Sequence, residues 1–191
     1  RSLEEDVEEA LLGGATLVQI REKEISSRAY LELARKIKAV TDRYGVPLIV
    51  NDRIDIALAV DAGGVHVGPD DLPVSVARRL LGPDKIVGAS ASSLEEALAL
   101  QAQGADYLGV GAVFPTATKQ VTEKVDLETL ARIKAAVRIP VAAIGGIDAG
   151  NAPEVMKTGV DGVAVVSAIL NRSDIREATR GLLSKLKKEK S

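Results

Sequence analysis

The chain has 191 residues, 46% of them apolar but only 2% aromatic, with no cysteine, one histidine and a formal net charge of −2. This composition excludes disulfides, thiolate metal sites, cysteine nucleophiles and a multi-histidine metal centre, and it gives nucleic acid or an acidic membrane no global attracting field. What remains is a single domain over 1–191, with an aliphatic core of the kind parallel strands build when both faces are covered.

The predicted elements alternate from end to end. A helix is expected over 2–12, where Ser2 and Glu5 have capping-box spacing, and Gly13-Gly14 stops it before a strand over 16–20. Ser26 or Ser27 caps a long amphipathic helix to about Tyr44, followed after Gly45 by a strand over 47–50. Helix 54–62, strand 64–67, helix 74–81, strand 85–89, helix 94–103 and strand 107–110 come next. The stretch GAVFPTATKQ, 111–120, then opens a loop before helix 127–137, strand 140–144, helix 151–158, strand 162–166 and a last helix over 174–188.

Such alternation, without a Pro/Gly-rich linker, is a βα repeat with right-handed crossovers and one parallel sheet. A barrel is favoured over an open doubly wound sheet, because polar or small residues follow nearly every strand: Arg21, Asn51, Gly68, Ser90, Thr116, Gly145 and Ser167. In a barrel all these strand ends converge, whereas an open sheet gathers ligand groups at one switch point. Only seven strands are found, and the chain starts on a helix. The expected fold is therefore an α/β, (β/α)8 TIM barrel whose first strand is missing from the chain as given.

Several rim residues have chemistry to offer. Alternation puts Gln19, Arg21 and Lys23 on one side of the first strand, three donors suited to an anion. Asn51 and Asp52 follow the apolar run 47–50, where a carboxylate is costly unless paired, bound to a cation or used as a helix cap. Asp70 and Asp71 follow the next strand, so two neighbouring strands offer the few hard oxygen ligands that suit Mg²⁺ together with water and phosphate. Gly146 and Val166-Ser167 end the last two strands, where barrels commonly build a phosphate site from backbone N–H groups. Thr116, Thr118 and Lys119 lie in the loop between the two anion sites. His66, alone in its short strand, reads as a packed, hydrogen-bonded structural residue.

The segments LVQIREK, PLIVNDRIDIALAVDAGGVHVG, GADYLGVGAVFPTATK, VAAIGGI and GVAVVSAI resemble, in order, the thiamine-phosphate synthase family. The likeness covers residues from about 2 to 169. It implies a (β/α)8 barrel whose first strand lies upstream of the counterpart of Ser2. It also implies a transferase of thiamine biosynthesis, joining hydroxymethylpyrimidine diphosphate to hydroxyethylthiazole phosphate and releasing diphosphate by a Mg²⁺-assisted dissociative substitution. Carried over residue by residue, it assigns Gln19, Arg21, Lys23, Asn51 and Lys119 to the pyrimidine diphosphate and Asp52 and Asp71 to Mg²⁺. Ser90 becomes a substrate contact, and Thr116, Thr118, Gly146, Val166 and Ser167 become contacts to the thiazole phosphate. Lys119, Arg21 and Ser90 take the catalytic roles. The chain departs from the family at Pro69, where Gln is usual, and at Ser92, where His is frequent. A thiazole tautomerase-like paralogue and a non-catalytic phosphate-binding regulatory barrel are the alternatives. The intact Asp52, Asp71 and PTATK loop argue against both. The expected partners are small molecules, without nucleic acid or membrane and with room for a homo-oligomer. The expected location is cytoplasmic, since no leader or membrane-length apolar run is seen.

Overall fold

The computed structural model describes residues 1–116 and 123–187. Seven strands form one parallel sheet in sequential order: β1 (Val18–Ile20), β2 (Leu48–Asn51), β3 (Gly64–Val67), β4 (Ile86–Ala91), β5 (Tyr107–Val110), β6 (Val141–Ile144) and β7 (Gly162–Ala164). Among the described residues, nine helices accompany them: α1 (Leu3–Leu12), α2 (Ser27–Arg43), α3 (Ile54–Ala59), α4 (Val74–Leu81), α5 (Leu94–Ala102), α6 (Leu127–Ala136), α7 (Ala152–Met156), α8 (Ser167–Leu170) and α9 (Ile175–Leu186). Strictly sequential pairing with alternating helices is barrel architecture one strand short, with β1 and β7 as the two edges of the described sheet.

Local sequence accounts for the elements. Ser2 and Glu5 complete a capping box, Glu5 N–H donating to Ser2 Oγ at 3.3 Å and Ser2 N–H to Glu5 Oε2 at 2.8 Å. Ser26 caps α2, whose buried Tyr30, Ala34, Ile37 and Val40 recur at helical spacing and face the sheet. On β2, Leu48 and Val50 join the core between sheet and helices, which places Ile49 and Asn51 on the opposite, barrel-lining face.

The strand amides at the barrel floor are held by a repeated device. Asp106 Oδ2 accepts the Val87 N–H at 2.8 Å while paired with Arg78. Asp161 Oδ2 accepts the Val141 N–H at 2.8 Å while 2.6 Å from Lys134 Nζ. A cation from one helix and an amide at the start of the strand that follows it thus share a carboxylate placed just before the next strand.

Some boundaries differ from expectation. β1 begins at Val18 rather than residue 16, and β7 ends at Ala164 rather than 166. β4 extends to Ala91, so Ser90 stands inside a strand, paired with Gly109. The four-residue α8 was not foreseen, since so short a segment carries no helical periodicity. Among the described residues, no helix is long and apolar enough to cross a membrane.

Candidate active site

The C-terminal ends of the strands form the rim. Ile20 and Val50 are buried and stand in register, so alternation turns Gln19 to the same face as Ile49 and Asn51. The end of β1 is tied down by Tyr30, whose hydroxyl donates to Ile20 O at 3.1 Å; burial, above all, pushes that phenol up to about 12. Arg21 follows directly, exposed, and among the described residues it makes no ion pair. The chain bends after β1, so Lys23 does not continue a strand alternation, yet its ammonium still reaches Asp52 Oδ2 at 3.4 Å.

Asp52 does not cap α3. The N-cap position belongs to Arg53, with no side-chain cap bond, and Asp52 instead sits in a left-handed conformation at φ 66°. Its own N–H donates to His66 O at 2.8 Å, and Arg53 N–H closes a tight turn onto Asn51 O at 2.7 Å. A non-glycine residue in a turn of this kind is strained and needs surrounding bonds to hold it. Asp71 stands beside it, held by Gly68 N–H donating to Asp71 Oδ2 at 2.7 Å. Burial, then the neighbouring Asp71 carboxylate, raise the pKa of Asp52, while Lys23 opposes them. Two neighbouring carboxylates, with the Lys23 ammonium in reach of Asp52, form a donor set suited to a hard divalent cation. Among the described residues, no group of three or more His, Cys, Asp or Glu converges on a metal-sized site, so water and ligand oxygens would have to complete the shell. Asp70 is exposed beside this pair.

Across the rim, a cleft of about 330 Å³ is lined by Gly146, Ile147, Asp148, Ser167, Ala168, Asn171 and Arg172. Gly145 and Gly146 both have positive φ, 103° and 61°, and a Cβ on Gly146 would come within 2.5 Å of Pro115 O. Only glycine allows that turn to pack against the segment after β5. Asn151 fixes the turn, its Nδ2 donating to Gly146 O at 2.9 Å and its Oδ1 accepting Asp148 N–H at 2.9 Å. The segment after β5 is bonded to the end of β6, with Val113 N–H to Ile144 O and Phe114 N–H to Gly145 O, both 3.0 Å. Thr116, half-buried, follows that paired segment. Val166 and Ser167 are exposed at the start of α8. Thr118 and Lys119 lie outside the described residues.

Ser90 is bonded from below. His66, 7% exposed, places Nε2 2.8 Å from Ser90 Oγ and Nδ1 2.9 Å from the Tyr107 hydroxyl. The histidine is packed and hydrogen-bonded as expected, but one of its partners is a candidate site residue. Ser92 bridges two acidic side chains, 2.6 Å from Glu123 Oε2 and 3.0 Å from Glu96 Oε2. Pro69 is exposed in the turn between β3 and Asp71.

Arg172, Asn151 and the His66–Tyr107 pair were not singled out from the sequence as site residues. Arg172 follows no strand directly, and α8, which delivers it to the cleft, has no sequence signature. The signal for the His66–Tyr107 pair was present in the glycines of β4 and β5, which clear space on the barrel-lining face.

A family model described as thiamine monophosphate synthase matches residues 1–169. The chain belongs to that family. With membership comes the enzyme class, a transferase of thiamine biosynthesis. The chain is 55% identical over 183 residues to the thiamine-phosphate synthase of Ruminiclostridium cellulolyticum, covering 96% of this chain and 87% of the relative. It is 52% identical over 182 residues to that of Clostridium tetani, covering 95% and 87%. The solved thiamine phosphate pyrophosphorylase of Pyrococcus furiosus superposes with a TM-score of 0.90 at 47% identity, covering 97% of this chain and 90% of that one. The thiamine monophosphate synthase family thus accounts for the barrel, for the regular order of its rim segments and for the enzyme class.

Proposed function

We propose that this chain couples hydroxymethylpyrimidine diphosphate to hydroxyethylthiazole phosphate, giving thiamine phosphate and free diphosphate. The observation that carries the reading is the Asp52–Asp71 pair facing Lys23 on the same rim as Asn51 and Arg21. That is a place for a cation and a diphosphate together. The cleft at Gly146, Ser167 and Arg172 lies across the rim and suits a phosphate monoester, with backbone N–H groups, a hydroxyl and a guanidinium.

Asp52 and Asp71 would hold Mg²⁺, and the ion would supply charge neutralisation on the leaving diphosphate. Arg21, Lys23 and Lys119 grip the diphosphate oxygens as negative charge gathers on them in the transition state. The bond between the pyrimidine methylene and the diphosphate oxygen breaks, and its electron pair leaves with the diphosphate. The electron-rich aminopyrimidine stabilises the cation that remains, and the thiazole nitrogen supplies the pair for the new C–N bond. Gln19 and Asn51 orient the first substrate; Thr116, Thr118, Gly146, Val166 and Ser167 orient the second. No protein nucleophile is required, in agreement with a chain that has no cysteine. Positioning two bound reactants and fixing donors around the leaving group supply the acceleration.

Calorimetric titration with inorganic diphosphate, with and without Mg²⁺, tests the site. The wild-type chain should bind diphosphate in a Mg²⁺-dependent manner, and Asp52→Asn and Asp71→Asn should each weaken it about tenfold or more, as loss of a charged ligand does. Equal binding by both variants in the presence of Mg²⁺ would remove these carboxylates from the site.

A further inference from the structure

The family resemblance makes Ser90 a substrate contact, and both proposed substrates are anionic, but it does not explain how the hydroxyl comes to face a substrate as a donor. A serine hydroxyl has one proton and two lone pairs and turns to suit its neighbours. A phosphate ester at neutral pH mainly accepts. For Ser90 to be useful, its proton must point into the barrel mouth and its lone pair must be engaged elsewhere.

Three neighbouring strands supply the means. His66 on β3 is in register with Gly88 on β4, and Gly88 with Tyr107 on β5, so all three project on one face. Two residues further along β4, Ser90 projects on the same face beside Gly109. Gly88 is where Tyr107 crosses: a Cβ there would lie 2.1 Å from Tyr107 Cζ. A Cβ on Gly109 would lie 3.2 Å from His66 Cε1. The two glycines therefore open a slot in which phenol, imidazole and hydroxyl meet. The Tyr107 and His66 rings stand 5.5 Å apart, centroid to centroid.

The direction of each bond follows from the chemistry of the phenol. Burial pushes the Tyr107 phenol up, so it keeps its proton across the working range. A buried O–H is paired in nearly all structures, and His66 Nδ1 is the acceptor at 2.9 Å. With Nδ1 accepting, the ring proton sits on Nε2, which donates to Ser90 Oγ at 2.8 Å. The Ser90 proton is then turned outward.

We propose that Tyr107 and His66 are positioning residues that set the polarity of Ser90: Tyr107 O–H donates to His66 Nδ1, His66 Nε2–H donates to Ser90 Oγ, and Ser90 presents its hydroxyl proton to the substrate. The inference rests on the proposed function only in its last step, since the first two bonds are internal to the protein.

The chain contains a single histidine, so a long-range ¹H–¹⁵N spectrum of histidine-labelled, ligand-free protein reads this ring without assignment. The relay requires Nε2 to be protonated and Nδ1 unprotonated. A spectrum of the Nδ1–H tautomer, or of a doubly protonated ring, at neutral pH overturns it. Tyr107→Phe removes the donor that selects the tautomer and should turn the spectrum into a mixture; an unchanged Nε2–H spectrum in that variant, with the fold intact by circular dichroism, also overturns it. In the coupling reaction, Tyr107→Phe should lower kcat about tenfold, the size typical of a group that orients a contacting residue. In a Ser90→Ala background the same change should cost nothing more, whereas additive losses would mean that Tyr107 acts on packing alone. Failure of the functional reading would appear as absence of coupling activity in every variant, while the wild-type spectrum would still decide the relay.

Discussion

Lys119 and Arg172 carry the same charge but should act at different stages. Lys119 is placed by the family resemblance at the departing diphosphate, where charge grows in the transition state. Lys119→Ala should lower kcat by about 10²–10³-fold with both substrates saturating, the usual effect of losing one such donor. Arg172 lines the cleft opposite, the site proposed for the phosphate monoester, whose charge would not change from binding through reaction. Arg172→Ala should raise KM for the thiazole phosphate about tenfold and leave kcat within about twofold, as loss of uniform binding does. Steady-state kinetics with each substrate varied in turn separates the two; a kcat loss in Arg172→Ala matching that of Lys119→Ala would put the guanidinium on the leaving group instead. At this scale the sequence was most informative where function concentrates polar residues at strand ends. Asp52, Asp71, Asn51 and Lys23 could all be named from it as candidates, because a polar residue directly after an apolar strand has few uses. The relation of Ser90 to His66 and Tyr107 could not, because it depends on cross-strand register that no local pattern encodes.

Elements show the same division. The capping box of α1 and the apolar spacing of α2 were legible because both depend on residues within a turn or two of each other. The end of β4 was not, since Gly88-Ala89-Ser90-Ala91 has weak strand propensity and is held extended by pairing with β5. Asp126 shows how an element boundary is tied to pH. Its carboxylate caps α6, with Thr129 N–H donating to Oδ1 at 2.7 Å, and that bond is the main reason its pKa lies below the ordinary 3.8. A depressed carboxylate pKa contributes stability that is fully present above the unfolded value and is lost as pH falls through the folded one. Asp126→Ala should therefore lower Tm by about 2–4 °C at pH 7, with the gap to wild type closing below pH 3.8. Thermal melts across this range check the sign; a gap that widened on acidification would show that the residue does not act as an ionised cap.

At the scale of the whole molecule, the sheet brings seven strand ends to one rim and leaves β1 and β7 as edges. The barrel and its strand order could be anticipated, because a βα repeat with right-handed crossovers admits few arrangements. The placement of the two candidate anion sites on one rim follows from that strand order. The β1–β3 side carries Lys23, Asp52 and Asp71, the β6–β7 side carries Gly146, Ser167 and Arg172, and the segment after β5 lies between them. Each site alone would serve a phosphate-binding protein; the proposed coupling reaction needs both. The direct measurement is formation of thiamine phosphate from the pyrimidine diphosphate and the thiazole phosphate, followed with and without Mg²⁺. The account predicts product and free diphosphate in equal amounts, only when both substrates and Mg²⁺ are present. Binding of both substrates without any product, or product formed equally well without a divalent cation, would contradict it.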